Sequence, residues 1–375
     1  MKNKWKKIII TIVLILVLLG TLIPVGMYLG SSDFRVWADK NILRKNVEEN
    51  SLPIIDMNSN DNTNVYVYAS SILTLENNEL TIYNKSAKKV GTINVSITKP
   101  LFCSSGDYLL VADEGGTKVY LVYNDTIQWE KDVEGQIVAI TVNKNGAAGV
   151  IVKGTAYKSV IIMYDITGNE SFKTFLSTTS ATNLAISDDN KYLSFIEINT
   201  TRATIASKVK TIDAEKALSN PSESIINTYD ANADELLLKL KYKNDKLTVL
   251  ADDGAYLYEN GQKEKIVDVT NASFIDINLD GYVASIQDNN DGKTELQLRN
   301  VENQKVNTYL PTEVIKRIYC NENCVAIDYG NKLEFVNNMG WLIKSFSSTQ
   351  NIKNIIVGKS VVAIVYRDKI EVLEI

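Results

Sequence analysis

The chain has 375 residues, 45% of them hydrophobic, with 40 basic and 45 acidic side chains, enough apolar material for one large domain or two ordinary ones. Four lysines fall in the first seven residues, so the remainder carries 36 basic against 45 acidic groups. That balance argues against binding nucleic acid phosphates and predicts no nucleic-acid partner. Histidine is absent, which removes the commonest general base, the Ser-His-Asp arrangement and the commonest zinc ligand.

Residues 1–7 form a short basic segment with Lys2, Lys4, Lys6 and Lys7. From Ile8 to Leu29 there are 22 residues without a charge, against about 20 needed to cross a bilayer core. The run exceeds the roughly 7–15 apolar residues of a cleaved signal peptide, so 8–29 is expected to remain as a transmembrane helix and to make the lipid bilayer a partner. The N-terminal lysines favour a cytoplasmic N-terminus and an extracytoplasmic body, although Arg35, Lys40, Arg44 and Lys45 match them in number on the other flank. Residues 30–51 follow as a juxtamembrane stalk. In it Phe34, Trp37, Ala38 and Ile42 recur at helical spacing, which predicts an apolar face at the lipid interface, with Trp37 as an anchor, or packed on the domain beyond.

Residues 52–375 read as all-β. Short β-branched and aromatic runs alternate with Asn, Asp and Gly turns. A turn followed by an apolar strand recurs, for example Ser105-Gly106-Asp107 before Tyr108 to Ala112, and Leu279-Asp280-Gly281 before Tyr282 to Ile286. Marker turn residues stand at 70, 106, 146, 190, 245, 281, 323 and 359, with spacings of 36, 40, 44, 55, 36, 42 and 36. Periods near 40 residues belong to propeller blades. Third strands end in an aromatic residue and a turn, as in Ile161-Ile162-Met163-Tyr164-Asp165, and fourth strands follow, as in Thr126 to Val133. The reading is an eight-bladed β-propeller, with seven blades as the alternative, preceded by one transmembrane helix. The last unit has only three strands, and Leu52-Pro53-Ile54-Ile55-Asp56 would complete it and close the ring.

The units, notably Tyr164-Asp165-Ile166-Thr167-Gly168-Asn169-Glu170, resemble divergent blades of the Trp-Asp repeat and quinoprotein type. With Ile23-Pro24-Val25-Gly26, Trp37, Ile42-Leu43-Arg44-Lys45 and Trp129-Glu130-Lys131, the chain resembles an uncharacterised family of membrane-anchored propeller-like proteins of clostridia and relatives. That resemblance implies a Gram-positive envelope setting and supplies neither an activity nor catalytic residues.

Candidate ligand-binding residues are the acids ending the second strands, Glu76, Asp113, Glu197, Asp252, Asp288 and Asp328, with Lys153 and Arg367 in the other two units. They would ring one mouth, where they could attract a cationic partner or Ca²⁺, or simply cap tight turns. Asp276-x-Asn278-x-Asp280-Gly281 matches the start of a calcium loop, but its twelfth position is Gln287 instead of Glu, so no cofactor is expected. Cys320 and Cys324 flank a three-residue turn and would face each other within disulfide range or stand as two reduced thiols. Residues 212–221 form a helix-like insertion after a third strand, either a docking element or a tolerated loop. The leading expectation is a noncatalytic scaffold at the cell envelope that holds a protein or envelope ligand at the propeller mouth. A hydrolase with paired carboxylates, such as a glycosidase, and an envelope sensor are the alternatives.

Overall fold

The protein was analysed as a computed structural model, which describes residues 20–30, 34, 38, 52–57, 63–201, 205–232, 235–259, 261–288 and 291–375. Most of the expected span, from Ile8 to residue 19, and Trp37 lie outside the described residues. Residues 20–30 are helical, and among the described residues no helix is long and apolar enough to cross a membrane.

Among the described residues, thirty-two strands form eight four-stranded antiparallel sheets. Seven blades take their strands consecutively, over residues 64–94, 100–132, 136–176, 180–230, 237–268, 272–309 and 317–347. The eighth combines three C-terminal strands, residues 354–374, with Ile54–Asp56, which lies antiparallel to Lys369–Glu374 as its outer strand. Lys369–Glu374 is thereby paired on both sides, which is how closure covers an otherwise aggregation-prone edge.

Burial follows position within the blade. Second strands are packed on both faces, so Val361–Val365 is buried at all five positions and Ala148–Lys153 at its first five. Neighbouring blades then share cores. Ile151 and Ile161 of blade three meet Phe195 and Ile212 of blade four, while Val67 and Ile72 of blade one pack against Val361 and Ile370 of blade eight. Burying one such aliphatic side chain is worth about 1.5–3 kcal/mol, and these shared layers hold the blades together without continuous sheet pairing.

Polar side chains finish the turns. After the third strand, Asn84, Asp165, Asn300 and Asn337 each accept two backbone N–H bonds from the following hairpin with Oδ1, the local capping that suits Asx residues to turns. In the Asp165 hairpin, Gly168 has φ +81°, and a Cβ there would stand 2.7 Å from the Trp129 ring. Only glycine meets both demands. Blades seven and eight share the pattern Tyr-x-x-Lys-x-Glu. Tyr329 and Lys332 donate to Glu334, and Tyr366 and Lys369 donate to Glu371. The insertion in blade four is a helical turn, Ala214–Ser219, capped by Asp213 accepting from the Lys216 N–H, followed by a 3-10 turn, Pro221–Glu223.

The ring has two unlike faces. Second strands end on what we term the upper face, and the turns between first and second strands lie on the lower one. Ile54 pairs with Glu371 and Asp56 with Lys369, so the chain enters the ring from the lower side. Tyr28, on the helix over 20–30, meets Trp341 there, with ring centroids 5.8 Å apart.

The expected facing of Cys320 and Cys324 is corrected. The hairpin pairs Asn321 with Cys324 and Cys320 with Val325, leaving a two-residue turn instead of three. That one-position change sends the cysteines to opposite faces of their sheet. Both are buried, and all three cysteines are free thiols.

Candidate functional site

The acids at the ends of the second strands do share the upper face, but each is turned onto its own blade or the linker leading into it. Asp113 Oδ1 accepts the Thr98 and Lys99 N–H groups at 2.8 Å each, and Asp252 accepts the Leu236 N–H at 2.9 Å. Asp328, fully buried, accepts from the Gly330 N–H at 2.6 Å and from Arg317 Nε at 3.0 Å. Glu197 takes Thr179 Oγ1 at 2.6 Å and Lys210 Nζ at 2.5 Å. Burial alone would raise its pKa, yet the hydrogen bonds from Lys210 and Thr179 prevail and hold it below the ordinary value. Asp288 accepts from Thr294 Oγ1 at 2.9 Å, and Glu76 meets Asn77 Nδ2 at 3.5 Å. Lys153 and Arg367 are exposed.

The calcium-loop oxygens are similarly engaged. Asp276 accepts the Asn278 N–H at 2.5 Å and its Nδ2 at 3.1 Å. Asp280 pairs with Lys243 at 2.7 Å, and Asn278 Oδ1 accepts from Lys239. Among the described residues, no three His, Cys, Asp or Glu side chains come together as metal ligands.

A different constellation lies on the ring axis. A bore of about 410 Å³, lined by residues from all eight blades, opens among the first-to-second-strand turns of the lower face. Its most polar wall is the inner strand of blade five, Leu237–Lys243, where Lys239, Lys241 and Lys243 alternate with Leu240 and Tyr242. Alternate residues of a strand face opposite ways. Leu240 and Tyr242 are therefore buried between blades, and the three lysines line the bore. Lys243 is ion-paired with Asp280, whereas Lys239 and Lys241 donate to the side-chain and backbone oxygens of one residue, Asn278. The side chain of Asn183, from blade four, accepts the Leu240 N–H at 2.9 Å and fixes this strand.

Around the same bore, Tyr66 stacks on Phe102 with centroids 4.8 Å apart, and its hydroxyl lies 3.3 Å from Ser104 Oγ. Burial raises the pKa of the Cys103 thiol, with Thr141, Val142, Lys239 and Lys241 acting in the opposite sense. Burial also raises the pKa of Asp276 and Glu322 and lowers that of Lys241. The centre of the ring thus holds charges that water would have favoured more strongly. This wall is visible in the sequence only as Lys-x-Lys-x-Lys, a pattern equally at home on a solvated strand.

Fold and bore together define an eight-bladed β-propeller with a polar central channel. The chain belongs to a family of unknown function, DUF5711, whose sequence profile matches residues 44–375. No curated protein matches it. Among solved structures it is similar to Sqt1 of Chaetomium thermophilum, bound to the N-terminus of ribosomal protein L10, at 11% identity and TM-score 0.53, covering 87% of this chain and 100% of that one. It is also similar to BamB of Moraxella catarrhalis, at 11% identity and TM-score 0.47, again covering 87% and 100%. Likeness at this identity is likeness of fold.

Proposed function

We propose that this protein is a membrane-tethered, noncatalytic binding ring of the cell envelope, with its N-terminus cytoplasmic, its propeller outside, and its ligand held at the lower mouth. The bore carries this reading, because it is where polar side chains from every blade converge, while the upper acids serve their own loops. Pockets of this size with a few convergent polar groups are the usual binding sites of rigid folds. The uncharged run from Ile8 to Leu29 supports the tether, and the entry of Ile54–Asp56 from the lower side is in keeping with a tether on the face of the bore mouth. A propeller of similar fold, Sqt1, holds a peptide segment of its partner, and this chain is proposed to hold a protein or envelope ligand likewise.

Crosslinking in intact cells followed by pull-down of the membrane-bound chain tests the reading. One or a few specific partners are expected, and reporter fusions at the two ends should place the C-terminus outside. Recovery of no specific partner, or hydrolysis of a glycan panel by the purified chain, would overturn it.

A further inference from the structure

Lys239 and Lys241 differ from the other lysines of the bore, Lys144 and Lys243, which are ion-paired, and Lys359, which is exposed. Lys239 and Lys241 each donate to Asn278, an uncharged partner, and neither is ion-paired among the described residues. Their lower neighbour Lys243 has Asp280, and Lys144 on the same rim has Asp188 at 2.9 Å. The carboxylates whose charge acts on Lys241 are Glu322, Asp280 and Asp276, and Asp280 is the one already paired with Lys243. Both oxygens of Asp276 are taken by Asn278, at 2.5 and 3.1 Å. Glu322 sits on the two-residue turn with φ +47°, where its backbone oxygen accepts the Asp280 N–H at 2.6 Å, tying blade six to blade seven. Burial pushes Asp276 and Glu322 toward their neutral forms and Lys241 toward loss of its proton, because desolvation disfavours charge of either sign.

An ammonium held in a half-buried cavity by neutral acceptors costs free energy that an anion would recover. The wall supplies neutral donors as well. The Thr141, Ser104 and Tyr66 hydroxyls belong to residues lining the same bore, and hydroxyls complete the coordination of an oxyanion that ammonium groups attract. We propose that the bore binds a compact oxyanion, a phosphoryl, sulfuryl or carboxylate group, between Lys239 and Lys241. This rests on the bore being the binding site of the ring and names the chemical group it takes.

The test is calorimetric titration of the purified 375-residue chain in detergent micelles with sodium phosphate, sodium sulfate and sodium malonate, with ionic strength held constant by chloride. Saturable binding of at least one probe is expected. It should weaken tenfold or more in K239Q/K241Q and stay unchanged in K85Q, whose lysine pairs on the outer surface with Glu374. Thermal melts of each variant verify folding. If the double variant fails to fold, the single variants K239Q and K241Q carry the comparison. Absence of saturable binding for all three probes overturns the inference, as does binding that survives in the double variant. Partner recovery in the crosslinking experiment without oxyanion binding would sink this inference alone, and oxyanion binding without any partner would sink the scaffold reading alone.

Discussion

The two faces of the ring use charge in opposite ways. On the upper side, acids are satisfied by the protein itself. Asp113 holds two loop N–H groups, Asp328 holds Gly330 and Arg317, and Glu334 gathers Tyr309 Oη, Tyr329 Oη, Thr312 Oγ1 and Lys332 Nζ at 2.8, 2.5, 2.9 and 2.7 Å. In the bore, Lys239 and Lys241 have one neutral residue between them. Saturated charge stiffens a fold, whereas unsaturated charge is available to a ligand. Substitutions above should therefore cost stability, and substitutions below should cost binding.

Glu334→Ala is the most damaging change expected. It removes the carboxylate shared by two tyrosine hydroxyls and an ammonium in a site where Glu334 is 1% exposed, which should cost about 3 kcal/mol, read as a fall in the urea midpoint. Unchanged stability would show that the network is ornamental. Asp113→Ala orphans the Thr98 and Lys99 N–H groups and should cost about 1–2 kcal/mol in the same assay, with partner capture intact. Lys241→Met should lie within about 1 kcal/mol of wild type, because replacing an under-compensated buried charge by an apolar chain of similar volume is often neutral or stabilising. Its defect should appear in anion binding, and a large loss of stability would erase the contrast between the faces.

Acidity provides a finer probe. Asp276 and Glu322 have pKa values raised by burial, so the folded chain binds protons at these sites that the unfolded chain has already released. Their contribution to stability is therefore most favourable at low pH and is lost as pH rises through the unfolded carboxylate range near 4 and on toward the raised folded values. The same protonation removes negative charge beside Lys239 and Lys241. Sulfate, which does not titrate in this range, should bind more tightly as pH falls through the raised folded values of these two acids, and affinity that falls on acidification would contradict the assignment. Glu197, held below its ordinary value by Lys210 and Thr179 against the opposing effect of burial, works in the other sense. Its stabilisation is present above the unfolded carboxylate pKa and fades as pH falls through the folded one.

The same contrast explains what the sequence disclosed. Second strands such as Val361–Val365 are buried on both faces and read as apolar runs, so their spacing gave the blade count. Inner strands face the bore on one side, and Leu237–Lys243 therefore looks like an ordinary half-solvated strand. Only closure of the ring turns its three lysines inward together. The upper acids were visible by position, but their partners, such as the Leu236 N–H for Asp252, come from loops that join one blade to the next. The cysteine pair failed for a local reason, because one residue fewer in the turn flips a side chain to the other face. Tyr-x-x-Lys-x-Glu recurs in the sequences of blades seven and eight. Its meaning depends on Thr312 and Ser348, contributed by the linkers from the preceding blades.

The most direct test of binding through the lower mouth is photo-crosslinking from two positions of one blade. Benzoylphenylalanine at Asn323 sits on the exposed lower rim, and at Asn331 on the exposed upper turn. Ligand held at the lower mouth predicts a specific adduct from position 323, diminished in the K239Q/K241Q background, and none from position 331. An adduct from position 331 alone would contradict it.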